Sequence, residues 1–101
     1  MEHVWTWGGV YFGYLEREDL WTHDGRHVGK LVGSEIYGDT GHYLGEVAGN
    51  HRLVVDSSKT DRRADSFLPW PRRAGVKPYS NYVAFVMQAG QADFPAPGDL
   101  S

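Results

Sequence analysis

Between residues 4 and 51 the chain repeats itself every 16 residues, and this period limits the possible fold more than any other feature. Trp5, Trp21 and Tyr37 fall in one column, Gly9, Gly25 and Gly41 in a second, and Gly13, Gly29 and Gly45 in a third. Apolar columns run beside them: Val4, Leu20 and Ile36; Phe12, Val28 and Leu44; Leu15, Leu31 and Val47. Such a unit is too short for a strand, a helix and two connections, yet it holds two strands of about four to six residues with two tight turns. No helical periodicity competes here, and β-branched and aromatic residues fill the expected strands. Each unit therefore reads as a β-hairpin.

The first turn of the unit is Asp24-Gly25 in the second copy and Asp39-Thr40-Gly41 in the third. Glycine there supplies the positive φ that such turns demand. The second turn is Val32-Gly33-Ser34, then Ala48-Gly49-Asn50. The column of Gly13, Gly29 and Gly45 lies within a strand, where glycine costs stability. Gly29 either marks a bulge that returns Val28 and Leu31 to one face, or leaves room at its bare Cα for an aromatic ring of the adjoining unit. The ring that every unit supplies at its Trp/Tyr column favours the second account. A single hairpin is marginal in water, so the units must pack on one another to build a core.

A fourth copy begins with Leu53-Val54-Val55-Asp56 but puts Ser57 and Asp61 where the glycines belong, and from Ala64 the repeat is gone. The expected organisation is a β-hairpin repeat domain over residues 1–63 and a C-terminal extension over 64–101, packed on it or partly disordered. The expected fold is all-β, with about four hairpin units around a pseudo-fourfold axis, as a flower or small barrel. A proline-containing tail and one extra strand or short helix complete it. Leu68-Pro69-Trp70-Pro71 reads as an extended connector, since each proline restricts its own φ and the residue before it. Tyr79 to Met87 is apolar on both faces and reads as a buried strand or short buried helix that completes the core or pairs with another subunit. Phe94-Pro95-Ala96-Pro97-Gly98 reads as a loose terminus.

A length of 101 residues with 41% hydrophobic, 23% charged and 14% aromatic content fits one globular domain. The absence of cysteine excludes disulfides, thiolate nucleophiles and cysteine metal sites. Met1-Glu2-His3 carries no basic leader, and no apolar run approaches the ~18 residues of a membrane span, so a cytoplasmic protein is expected. Charge is uneven. Residues 1–56 carry four Lys/Arg against nine Asp/Glu, while residues 57–101 carry six against four. Lys59, Arg62, Arg63, Arg72 and Arg73, with Lys77, form a basic patch able to touch phosphate or an acidic partner. A solvated segment or a dock onto the protein's own acidic part is the simpler reading, and nucleic acid is disfavoured as a partner.

Among the aromatics, Trp7, Tyr11 and Tyr14 are the less regular ones and, with His27 and Tyr43, are the candidate ligand-binding residues; stacking on sugars, organic cations or bases is the chemistry they offer. The strict columns Trp5, Trp21 and Tyr37 read as core. His23, His27 and His42 surround the first turns, but no helical His pair or His-carboxylate motif presets a metal site. Asp24 and Asp39 stand beside turn glycines, where a carboxylate bonds its own backbone, and this explains them better than acid–base catalysis. No catalytic residue, metal or cofactor is assigned.

The phrases Leu20-Trp21-Thr22-His23-Asp24-Gly25-Arg26-His27-Val28-Gly29-Lys30-Leu31 and Ile36-Tyr37-Gly38-Asp39-Thr40-Gly41-His42-Tyr43-Leu44-Gly45-Glu46-Val47 resemble the units of the bacterial four-fold beta flower proteins, over residues 4 to about 63. The resemblance implies four hairpins about a pseudo-fourfold axis and carries over no activity. Gly25-Arg26-His27-Val28-Gly29-Lys30-Leu31 is also similar to a phrase of the PRC-barrel, a small protein-docking β-barrel. The expected function is a non-catalytic binding or assembly module whose partner is a protein, or a second copy joined through Tyr79 to Met87. The alternatives are a small-ligand binder with an aromatic and histidine site where the repeats converge, and a PRC-barrel-like docking domain.

Overall fold

A computed structural model describes residues 1–100. Seven strands follow one another around a barrel: β1 (Glu2–Thr6), β2 (Tyr11–Glu16), β3 (Asp19–Thr22), β4 (His27–Val32), β5 (Glu35–Tyr37), β6 (Tyr43–Ala48) and β7 (Arg52–Asp56). Each neighbouring pair is antiparallel, so the first and seventh strands of an odd-numbered series point the same way, and the barrel closes through a parallel β1–β7 pairing. That pairing uses only Arg52 and Leu53 of β7. The rest of its edge, Val54 to Asp56, pairs with β8 (Gln91–Asp93), which returns from the tail to the place of the missing second strand of the fourth hairpin. The expected all-β barrel is present, built of three complete hairpins and half of a fourth. Closure shortens the edges that would otherwise invite aggregation, leaving unpaired the outer side of the three-residue β8 and of the start of β1. Among the described residues no helix is long and apolar enough to cross a membrane.

The second glycine column is explained by a bulge in every hairpin. Val4 faces Gly13 while Trp5 faces Tyr11, leaving Phe12 as the extra residue. Val28 and Leu44 are the extra residues between the pairs Leu20–Gly29 and Trp21–His27, and between Ile36–Gly45 and Tyr37–Tyr43. A bulge adds one residue to the period of two, so Phe12 and Leu15, Val28 and Leu31, and Leu44 and Val47 all join the core. The preferred account, a slot for an adjoining unit's ring, fails at Gly13 and Gly29, where a Cβ would meet the Trp21 carbonyl oxygen or the Ile36 side chain; at Gly45 a ring does fill the space, but it is Phe94 of the tail. In the fourth copy the turn is Gly49-Asn50-His51, one residue longer than the Arg17-Glu18 and Gly33-Ser34 turns. That insertion shifts the register, so Leu53 rather than Arg52 enters the core column with Val4, Leu20 and Ile36.

The three first turns are copies of one another, with Thr6, Thr22 and Gly38 each donating to the residue four further on and Gly9, Gly25 and Gly41 each donating back. These glycines have φ of +90°, +89° and +86°, and a Cβ on any of them would overlap a backbone carbonyl of the tail. The tail is bound there by a repeat of its own, with a period of nine residues. The N–H groups of Ala64, Arg73 and Tyr82 donate to the carbonyls of Gly41, Gly25 and Gly9, each at 2.8 Å. Those of Phe67, Val76 and Phe85 donate to Asp39, His23 and Trp7 at 2.7–3.0 Å. Residues 62–88 thus form a belt that visits the hairpins in reverse order. The reading that repetition ends at Ala64 is corrected: the hairpin period ends, and the belt period begins.

Two further expectations change. Tyr79 to Met87 is neither strand nor helix and is not buried; Val83 and Val86 are 83% and 85% exposed. Phe85 is the one half-buried residue of the stretch, while Tyr79 and Tyr82 lay one ring face on the barrel and keep the other outside, because a belt bonded to the barrel at every third or sixth residue has a single inner face. The stretch Phe94 to Gly98 is not loose. Phe94 is 2% exposed within the core cluster, edge-on to Phe12 at 5.3 Å, with Leu100 packed beside it. The Arg26 guanidinium donates to the carbonyls of Pro97 and Leu100 and anchors this plug.

Candidate functional site

The bulges that send Phe12, Val28 and Leu44 inward leave Trp5, Tyr11, Tyr14, Trp21, His27, Tyr37 and Tyr43 buried outside the aliphatic core cluster. The belt accounts for much of that cover. Tyr82 stacks on Trp5 at 4.6 Å and the Arg73 guanidinium lies over Trp21 at 3.8 Å. Tyr79 stacks on His3 at 4.1 Å and Tyr11 at 5.3 Å, while Trp7 meets Phe85 edge-on and donates its indole N–H to the Val86 carbonyl.

The five candidate ligand-binding residues are therefore spread around the wall rather than gathered. Trp7 and Tyr11 hold the third belt repeat, Tyr14 stacks on Trp21 at 6.4 Å, and Tyr43 donates its hydroxyl to Glu46 and accepts the N–H of Asp56. Burial pushes the Tyr43 phenol up to about 12. Where the hairpins converge, Val4, Phe12, Leu20, Ile36, Leu53 and Phe94 form the core cluster, and none of the five candidate residues belongs to it.

His27 does line a cleft of about 260 Å³, with Arg26, Asp39, Trp70 and Arg72. Its ring lies 5.1 Å from both Trp21 and Phe67, Nδ1 accepts the backbone N–H of Trp70 at 3.0 Å, and Nε2 lies 3.0 Å from Asp19. An acceptor at Nδ1 requires the neutral ring in its Nε2–H tautomer. Burial favours the same form and holds the His27 pKa below its ordinary value against the opposing pull of Asp19.

The basic patch is docked on the barrel's acidic wall. Lys59 reaches Glu46 at 2.9 Å and Glu35 at 3.2 Å, Arg62 reaches Glu35 at 2.6 Å, Arg73 reaches Glu16 at 2.9 Å, and Arg72 reaches Asp24 at 3.4 Å. Arg63 differs, donating only to the Arg62 carbonyl. The Tyr37 hydroxyl, then Lys59 and Arg62, lower the Glu35 pKa; the Thr22 hydroxyl, then Arg26, lowers that of Asp24; Arg73 lowers that of Glu16. Carboxylates so held are poor proton donors near neutral pH. The remaining histidines are dispersed: His3 bonds Tyr11, His42 bonds Thr40 and His51 bonds Glu2.

What the sequence reading missed is the belt and the chemistry of its outer face. The first two repeats place Asp65 and Ala74, and Leu68 and Lys77, at the positions that become Val83 and Val86 in the third. Together with half-exposed Tyr79, Tyr82 and Met87 these form an apolar ridge, in a stretch from 79 to 92 without a single charge. The available signal was the nine-residue recurrence of Pro69 and Pro78, Trp70 and Tyr79, and Phe67, Val76 and Phe85. Comparisons with protein-family models, curated proteins and solved structures find no match to this chain.

Proposed function

We propose that this protein is a non-catalytic assembly module whose docking face is the outer ridge of the third belt repeat, Tyr79 to Met87, and whose partner is a second copy of the same chain. The single observation that carries this reading is the exposure of Val83 and Val86 beside Tyr79, Tyr82 and Met87. The belt does not need both valines: Asp65 and Ala74 stand at the position of Val83 in the other repeats, and Leu68 and Lys77 at that of Val86, so only the third repeat is apolar at both. Exposed apolar side chains clustered in this way mark interaction surfaces. A two-fold interface sets each patch against itself, and a stretch without charges can do so without like-charge repulsion. The shared hairpin phrase supports kinship with the four-fold beta flower proteins, which assigns no chemistry that competes with this reading.

Sedimentation velocity over a concentration series tests it. The wild type is expected to associate reversibly, and Val83→Asp with Val86→Asp to remain monomeric with an unchanged melting temperature. A wild type that stays monomeric to millimolar concentration overturns self-association. A ridge that instead binds a different protein, with loss of binding in the same double variant, would move the partner to another chain.

A further inference from the structure

The three hairpins allow a comparison inside one molecule, because equivalent places between barrel and belt are filled in two of them and open in the other. Beside Trp5 the place is taken by the Tyr82 ring, stacked at 4.6 Å, with Arg52 behind it, 3.9 Å from Phe85. Beside Trp21 it is taken by the Arg73 guanidinium, which lies flat on the indole at 3.8 Å and pairs with Glu16 at 2.9 Å. Beside Tyr37, nine residues back along the belt and one hairpin on, Ala64 stands for Arg73 and Val32 stands for Glu16. Both halves of the ion pair are gone, and a cleft of about 510 Å³ lies there.

The lining of this cleft differs from that of a slot merely left unfilled. Val32, Ala64 and Phe67 give it an apolar wall, and Lys30 and Arg63 stand at its margin. Lys30 holds its ammonium 5.8 Å from the Phe67 ring, and neither it nor Arg63 pairs with a carboxylate among the described residues, although Lys59, Arg62, Arg72 and Arg73 all do. Asp65 also lines the cleft, leaving one positive charge in excess. The size lies within the range of about 300–1,000 Å³ common to small-molecule sites, where an apolar wall with few polar groups is the usual build.

We propose that this cleft binds a small aromatic carboxylate, its flat body replacing the planar group that Tyr82 and Arg73 supply in the other hairpins and its acid group pairing with Lys30 and Arg63. A planar guest is specified because both filled places hold a planar group against a ring. An anion is specified because neither flanking cation pairs with a carboxylate among the described residues. The site is separate from the Tyr79 to Met87 ridge, so it stands or falls independently of self-association.

The test is a titration of the isotopically labelled full-length protein with 2-naphthoate, followed by amide chemical shifts. Saturable shifts confined to residues 30–37 and 63–67, with a Kd of about 1 mM or tighter, are expected. Val32→Glu with Ala64→Arg rebuilds in the cleft the ion pair that already occupies the second hairpin and is expected to weaken binding at least about tenfold while leaving the rest of the spectrum in place. Lys30→Gln is the second variant, expected to weaken binding several-fold with the fold intact, and the neutral 2-naphthylmethanol is expected to bind more weakly than the acid. No saturable shift, shifts on Val83 and Val86 instead, or binding undiminished in both variants would overturn the proposal.

Discussion

Arg73 donates its backbone N–H to the carbonyl of Gly25 at 2.8 Å, and the two chains approach so closely that a Cβ on residue 25 would overlap the Arg73 carbonyl oxygen. The glycine column therefore serves two purposes, a turn with φ of +89° and a seat for the belt. Gly25→Ala is expected to cost about 2–4 kcal/mol, combining backbone strain with displacement of the belt. Gly33→Ala is the control, since Gly33 has φ of +64° but nothing within 4 Å of its added Cβ. That change should cost only about 1 kcal/mol, read by thermal unfolding. Equal losses at the two sites would mean that the belt places no demand on Gly25.

The plug at the C-terminal end gives a second expectation. Phe94 is buried against Phe12, and β8 immediately before it completes the edge of β7. Phe94→Ala should cost about 3–5 kcal/mol in denaturant unfolding, as for other buried aromatic rings cut back to a methyl. Val86→Ala, on the exposed ridge, should stay within about 0.5 kcal/mol. If Phe94→Ala were as mild as Val86→Ala, the barrel would be able to close without its plug.

His27 should make stability depend on pH. Burial holds its pKa below the ordinary 6.5, so the unfolded chain takes up a proton that the folded chain refuses as pH falls through that value. This contribution is full above about pH 6.5 and declines beneath it until the lowered folded pKa is reached. Protonation would also remove the acceptor that holds the Trp70 N–H, while Asp19 and Lys30 pull the titration in opposite directions. His27→Gln cannot charge. It should be less stable at neutral pH but lose less of its melting temperature between pH 7.5 and 5.5 than the wild type. A slope unchanged by the substitution would assign the pH dependence to other groups.

The hairpins were legible because their code is chemical. A positive φ requires glycine at 9, 25 and 41, and core depth requires apolar residues at 4, 20 and 36. The bulges are not legible in the same way, since Gly29 in sequence looks the same whether it relieves a bulge or admits a ring. The belt was illegible for a different reason. Its attachment is made by backbone N–H groups, which Ala64, Arg73 and Tyr82 supply equally well, so the anchoring column carries no shared side-chain chemistry. The apolar character of Tyr79 to Met87 suggests burial, whereas Phe85 alone is half-buried and Tyr79 and Tyr82 cover the barrel with one ring face only. Opposite net charges on two parts of one chain leave two readings of the basic patch open in sequence, a solvated segment or a dock onto the acidic half, and the geometry adds the ion pairs to Glu46, Glu35, Glu16 and Asp24. Which cations were left without partners required the register of the belt.

The account depends most on the belt lying in register with the hairpins, since both the ridge and the open cleft follow from that register. Residue-resolved hydrogen exchange of the native protein measures it. Slow exchange is predicted at Ala64, Phe67, Arg73, Val76, Tyr82 and Phe85, with fast exchange at Asp65, Ala74 and Val83, whose amides donate to no backbone carbonyl. Uniformly fast exchange from residue 62 to 88, or protection lacking the nine-residue period, would contradict it.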